Sequence, residues 1–136
     1  MSNDTASTET ARVEVKLKNL APDVLRKRLL IEGFYFGGMT EERVRGFLLD
    51  LAERLGVRTY GEPVVYAPAS GMGREENAGF DAFVPLIDSG ISAYFWTGLS
   101  FFSVLIYTCK DFDDRKAVEV ARELLDVRGD VVTHAF

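Results

Sequence analysis

The alternation of apolar and polar residues predicts a chain made mostly of short strands. Apolar and charged residues alternate over residues 12–20 (RVEVKLKNL), as in a half-buried strand. Apolar runs predict further strands over residues 28–36, 57–67, 83–87, 91–97, 101–109 and 131–132. The gaps between the three runs from 83 to 109 are short, which favours antiparallel hairpins.

Two segments have the spacing of amphipathic helices. Thr40 suits a helix N-cap, Glu41 and Glu42 suit the positive end of the dipole, and apolar residues recur at helical spacing to Leu55. The acidic turn DFDD precedes a second such segment, with an apolar face of Ala117, Val120, Ala121, Leu124 and Leu125. The order β-β-α-β-β-β-β-α-β predicts an α+β two-layer sandwich, a mostly antiparallel sheet with two helices on one face.

Composition narrows the class of protein. Of the 136 residues, 47% are hydrophobic and 27% charged, which is typical of a globular domain. The net charge of -5 argues against nucleic acid as a partner, and no apolar run is long enough to span a membrane. A single cysteine excludes an internal disulfide and fits the cytoplasm. We expect a disordered polar tail over residues 1–11 and one domain over 12–136.

The familiar catalytic motifs are missing from the sequence. The only histidine, His134, lies near the C-terminus, where we expect a frayed chain, and no cluster of histidines and cysteines suggests a metal site. Three features remain: Asp88-Ser89 at a predicted turn, Cys109, and Glu32 inside an apolar strand. Each has an ordinary structural reading, as a turn, a small core residue and an outward-pointing acid.

The segment from Asp88 to Cys109 resembles the S-adenosylmethionine (AdoMet) decarboxylase family, in its short bacterial and archaeal form. In that family an acidic residue and a serine precede a strand with a tryptophan position, and a second strand ends in Thr-Cys. Here these features are Asp88-Ser89, Trp96 and Thr108-Cys109, with no gap needed between the serine and the cysteine. The resemblance extends from about residue 28 to the C-terminus.

The resemblance implies a self-processing enzyme with a pyruvoyl cofactor. Members of the family cleave themselves before the serine, which becomes an N-terminal pyruvoyl group. This group acts as the electron sink when AdoMet loses carbon dioxide, a step of polyamine biosynthesis. By resemblance, Ser89 is the pyruvoyl precursor that follows Asp88, and Cys109 is the acid that reprotonates the product. Tyr66 is then expected near the adenine, and Glu32 in the substrate site.

Three positions differ from the family pattern. In the family, a histidine five residues after the serine removes a proton during processing. In this chain that position is Tyr94, and an unperturbed tyrosine is a poor base at neutral pH. The Pro-Glu step that grips the ribose is replaced by Thr97-Gly98. The family's upstream second serine falls at Met72 or Asp81, depending on where the loop over residues 69–79 is placed.

These differences leave three functions open. The first is pyruvoyl-dependent decarboxylation of AdoMet or a related amino acid, with Ser89, Cys109, Tyr94 and Asp88 as catalytic residues. The second is an unprocessed enzyme that binds AdoMet and promotes a lyase or cyclase-type displacement at the sulfonium. The third is a non-catalytic ligand-binding or partner subunit. We place Glu32, Tyr66, Trp96 and Asp81 in the substrate site.

The aromatic residues bear on assembly. Strand alternation places some of them on the sheet face away from the helices, and a large exposed aromatic face is unfavourable for a monomer. The short family members dimerise with their sites at the subunit interface. We therefore expect a homodimer, and we expect the loop over residues 69–79 to cap the site.

Overall fold

The computed structural model describes residues 18–67, 76 and 78–136. The described residues form strands and helices in the order β1 (Lys27–Phe34), α1 (Glu41–Arg54), β2 (Val64–Tyr66), β3 (Gly79–Leu86), β4 (Ser89–Trp96), β5 (Phe101–Thr108), α2 (Asp114–Leu124) and β6 (Val132–Ala135). The predicted tail over residues 1–11 lies outside the described residues, as do most of the strand predicted over 12–20 and most of the loop over 69–79. Residues 18–20 are described and are not in a strand.

Every pair of neighbouring strands in the sheet is antiparallel. The strand order among the described residues is β2-β3-β4-β5-β1-β6, so β3, β4 and β5 form a meander and β1 lies between β5 and the C-terminal strand. Together with the two helices, this sheet confirms the predicted α+β sandwich.

Both helices pack on one face of the sheet, where alternate strand residues form the core. The Thr40 side chain accepts a hydrogen bond from the Arg43 N–H at 3.1 Å, and the Asp113 carboxylate accepts from Arg115 N–H at the start of α2. These caps satisfy N–H groups that a helix leaves unpaired in its first turn. Fully buried residues include Ile31, Val44, Leu48, Leu51, Val84, Ile91, Phe95, Phe102, Val104, Ile106, Ala117 and Ala121.

The opposite face, which we call the open face, carries the other half of each strand. Most of its residues are partly or fully exposed: Phe34 is 60% exposed, Phe83 43% and Tyr94 41%. No helix within the described ranges covers these side chains. The predicted two-sided distribution of aromatic residues is therefore present, and the second side faces solvent in the single chain.

Three predictions about local structure were wrong. The strand predicted over residues 57–67 is reduced to Val64–Tyr66, because Gly61 and Pro63 interrupt it and only Thr59 makes an isolated bridge upstream. Ser89 is not in the turn but is the first residue of β4, since the turn is Ile87-Asp88. His134 is not frayed; it lies in β6, opposite Leu30.

Lys27 ties the chain after β5 to the start of β1. Its ammonium group lies 2.9 Å from an Asp111 oxygen and 2.5 Å from an Asp114 oxygen, and it donates to the Phe112 carbonyl. The hydrogen bond with Asp114 is the main cause that raises the pKa of Lys27, with a further contribution from Asp111. The hydrogen bond from Lys27 lowers the pKa of Asp111. This cluster fixes residues 111–114, the segment that follows Cys109 and Lys110.

Candidate functional site

The structure brings Ser89 and Cys109 into direct contact. Ser89 begins β4, and Cys109 follows the last residue of the adjacent strand β5. The backbone N–H of Cys109 donates a hydrogen bond to the Ser89 hydroxyl oxygen at 3.1 Å. Both side chains are partly buried. A donor held on the serine oxygen orients this hydroxyl and stabilises negative charge that develops on it.

Ser89 and Cys109 line a cleft of about 470 Å³ at one end of the sheet. The hairpin supplies Asp88, and the segment after α1 supplies Gly56 and Arg58. Ser89 also borders a smaller cavity of about 310 Å³ on the open face, whose walls are mainly apolar. The serine therefore lies between a cleft with charged residues on its walls and a mainly apolar cavity.

The residue before Ser89 has an unusual backbone conformation. Asp88 has φ of 61°, in the left-handed region, as the second residue of the two-residue turn between β3 and β4. Non-glycine residues adopt this region at a cost of roughly 1–2 kcal/mol, although aspartate tolerates it better than most. Strain is thus present next to the peptide bond that joins Asp88 to Ser89.

A second group of predicted site residues forms a row across the open face. In the strand register Tyr66 is opposite Asp81, Asp81 is opposite Tyr94, Tyr94 is opposite Ser103, and Ser103 is opposite Glu32. Cross-strand partners lie on the same face of a sheet, with Cβ atoms about 5 Å apart. We call these five residues the polar row.

Ser103 is a member of the polar row that the sequence did not predict. Its hydroxyl donates a hydrogen bond to Glu32 Oε2 at 2.7 Å, and both groups are partly buried. This contact explains how a carboxylate is accommodated within an apolar strand. The only signal in the sequence was a serine in the apolar run FFSVLIY, which carries little information without the strand register.

Trp96 belongs to an aromatic cluster beside the polar row. Its ring centroid lies 5.2 Å from that of Phe101, which in turn lies 5.5 Å from that of Phe34. The three side chains lie at the same end of the open face. Each is two residues along its strand from a member of the polar row: Trp96 from Tyr94, Phe101 from Ser103 and Phe34 from Glu32.

The two groups of site residues are well separated within one chain. Ser89 and Tyr94 are five residues apart on β4, which corresponds to about 16 Å along an extended strand. An odd spacing also places their side chains on opposite faces. Tyr94 is therefore not in contact with the Ser89–Cys109 pair in the same chain.

The part of the chain that the structure describes contains no group of three or more histidine, cysteine, aspartate or glutamate residues that is arranged to hold a metal ion. Within the same residues, neither helix is long and apolar enough to cross a membrane.

An antiparallel sheet with two helices on one face and a serine–cysteine pair at one end defines an α+β sandwich with a candidate polar site. Residues 39–135 match the sequence model described as S-adenosylmethionine decarboxylase. The chain therefore belongs to the S-adenosylmethionine decarboxylase family.

Comparison with solved structures agrees with this assignment at the level of the fold. The crystal structure of the adenosylmethionine decarboxylase from Aquifex aeolicus VF5 is similar with a TM-score of 0.58 and 16% sequence identity. The match covers 83% of this chain and 89% of the Aquifex chain. No curated protein sequence matches the chain.

Proposed function

We propose that the protein is a pyruvoyl-dependent decarboxylase of AdoMet or a related amino acid, activated by self-cleavage between Asp88 and Ser89. The observation that supports this proposal is the 3.1 Å hydrogen bond from Cys109 N–H to the Ser89 hydroxyl oxygen. It joins the two residues that carry the resemblance to the family. It also gives the serine an oriented hydroxyl next to a strained residue.

The surroundings of Ser89 fit its conversion into a pyruvoyl group. The Ser89 hydroxyl oxygen attacks the Asp88 carbonyl carbon, and the Ser89 nitrogen leaves with the hydroxyl proton, which forms an ester. Loss of the Ser89 Cα proton then breaks the Cβ–O bond of the ester and expels the new main-chain carboxylate of Asp88. The remaining enamine tautomerises to an imine, and water hydrolyses the imine to ammonia and the ketone of the pyruvoyl group. The pyruvoyl group supplies an electrophilic carbonyl that withdraws electrons from an amino acid as its carboxylate is lost.

The location of Cys109 in the same cleft supports a role for its thiol in proton transfer. Cys109 is a free thiol that lines the cleft with Ser89, and its backbone holds the serine oxygen. We assign it the protonation of the product carbon, because a proton donor there must be within contact distance of the group at Ser89.

We further propose that the active form is a cytoplasmic homodimer in which the open faces meet. Tyr94 lies roughly one strand length from Ser89 in its own chain, whereas Ser89 also borders the apolar cavity on the open face, so a Tyr94 that acts on Ser89 would come from a second copy that covers this face. The exposed aromatic residues of the open face also favour burial against another surface, and Phe34 is the most exposed of them.

Intact-mass measurement of the purified chain under denaturing conditions tests the proposal. Cleavage yields fragments of 88 and 48 residues, and the smaller fragment gains a mass adduct with phenylhydrazine because it carries a ketone. Ser89→Ala gives one uncleaved species. Ser92→Ala is the matched control on the same strand and is cleaved like the wild type. A single wild-type species of full mass excludes the pyruvoyl mechanism.

A second candidate function is supported by the polar row. Asp81 lies directly opposite Tyr94, and Tyr66 lies opposite Asp81 on its other side. A carboxylate flanked by aromatic rings suits an organic cation such as a sulfonium. An unprocessed chain could then promote displacement or elimination at AdoMet by positioning alone. Release of methylthioadenosine from AdoMet by Ser89→Ala would favour this function, whereas AdoMet binding without turnover would indicate a non-catalytic subunit.

A further inference from the structure

The cleft beside Ser89 contains two basic residues that neither the family resemblance nor the proposed mechanism uses. Arg58 lines it from the segment after α1, and Lys110 lines it from the residue after Cys109. Asp88 is the single acidic residue on the same walls, so the cleft has an excess of positive charge. This differs from the whole chain, whose net charge is -5.

Lys110 is held in place by the end of α1. Its ammonium group donates a hydrogen bond to the Gly56 carbonyl at 3.1 Å, and Gly56 itself lines the cleft. The interaction pairs the carbonyl of the residue that follows Leu55, the C-cap of α1. The ammonium retains further N–H donors for a ligand.

Arg58 is fixed through its backbone while its side chain has no partner within the described residues. The Arg58 carbonyl accepts a hydrogen bond from Ile87 N–H at 3.0 Å, which ties it to the hairpin that carries Ser89. Most other arginines in the described ranges, such as Arg28 and Arg45, donate to a carbonyl or a carboxylate. A guanidinium with free donors beside a cleft is suited to a planar anion.

We propose that Arg58, assisted by Lys110, is the anion-recognition residue of this cleft and binds the carboxylate of the substrate beside Ser89. The inference rests on the proposed function and adds a specificity determinant to it. A cation that holds a carboxylate stabilises the ground state, and this interaction weakens as carbon dioxide forms. Loss of Arg58 should therefore raise KM without lowering kcat.

Charge-selective alkylation of Cys109 tests the proposal without requiring activity. Cys109 is the only cysteine of the chain and lines the same cleft. Iodoacetate is an anion and iodoacetamide is neutral, and both react with the thiolate. The ratio of their rates therefore reports the charge around the thiol and is insensitive to its protonation. The reference is the same ratio for 2-mercaptoethanol.

We expect Arg58→Gln to lower the iodoacetate-to-iodoacetamide ratio about three-fold in dilute buffer, because one positive charge is removed from the walls of the cleft that the Cys109 thiol lines. Arg58→Lys should keep most of the ratio. Arg115→Gln, which removes an exposed charge from α2, is the control and should leave it unchanged. A wild-type ratio equal to that of 2-mercaptoethanol, unchanged by Arg58→Gln, would overturn the proposal.

A second measurement identifies the group that is recognised. AdoMet and decarboxylated AdoMet differ only in the carboxylate, and each is tested for protection of Cys109 from iodoacetamide. Arg58→Gln should weaken protection by AdoMet about ten-fold and leave protection by decarboxylated AdoMet unchanged. Equal weakening of both would overturn carboxylate recognition. If AdoMet does not protect the wild type while the alkylation ratio persists, the proposed substrate is wrong and the anion site remains.

Discussion

Gly79→Ala should disrupt the end of the hairpin that carries the candidate site. A Cβ atom at Gly79 would lie 1.7 Å from the Phe95 carbonyl oxygen, which is a backbone atom and cannot rotate away. Ordinary contact begins at 3.4 Å, so β3 and β4 must separate there by about 1.7 Å. The Ala78 carbonyl then loses its two hydrogen bonds from Thr97, one from the backbone and one from the hydroxyl, both 3.2 Å long.

Loss of two partly exposed hydrogen bonds costs about 2 kcal/mol, at about 1 kcal/mol each. Urea unfolding measures this cost as a lower midpoint with an unchanged slope. Gly98→Ala is the matched control, because a Cβ there has no neighbour within 4 Å. A Gly79→Ala midpoint equal to that of Gly98→Ala would refute the register of β3 and β4, and with it the pairing of Asp81 with Tyr94.

Three further predictions each concern a single substitution. Ser103→Ala should lower the free energy of unfolding by about 1–2 kcal/mol in urea because the partly buried Glu32 carboxylate loses its donor. Lys27→Met should be less stable than the wild type at neutral pH. The difference should shrink as the pH rises from 10.5, the ordinary pKa of lysine, through the raised pKa of folded Lys27, and as the pH falls from 3.8, the ordinary pKa of aspartate, through the lowered pKa of folded Asp111. Tyr94→His should increase the fraction of cleaved chain in intact-mass spectra, because imidazole is the better base near pH 7.

The sequence predicted most reliably those elements of the fold that depend on residues close together in the chain. Helix spacing predicted both helices, with Thr40 as the N-cap of α1 and the acidic turn DFDD before α2, and the short gaps between apolar runs predicted the meander of β3, β4 and β5. The strand predicted over residues 57–67 was too long, because apolar content alone does not show that Gly61 and Pro63 end the pairing. The turn was predicted at Asp88-Ser89 and lies one residue earlier, at Ile87-Asp88, because the composition Asp-Ser-Gly is compatible with turns that begin at different residues.

Contacts between distant residues could not be predicted in the same way. Glu32 and Ser103 are 71 residues apart, and they meet only because β1 inserts between β5 and β6. No local pattern encodes that strand order. The resemblance to the family placed Asp81 and Tyr94 in a site but did not show that they are opposite each other on the open face.

The register of β4 also constrains how the two groups of site residues can act together. Ile91 and Phe95 are buried against the helices, so the period of two fixes Ser89 at the end of the covered side and Tyr94 on the open face. No rotamer change in one chain brings a phenol across about 16 Å of strand. If Tyr94→His increases cleavage, the effect must therefore pass between two chains. Mixing an uncleaved Ser89→Ala, Tyr94→His chain with the wild type should then increase cleavage of the wild-type chain, in proportion to the mixed dimer formed.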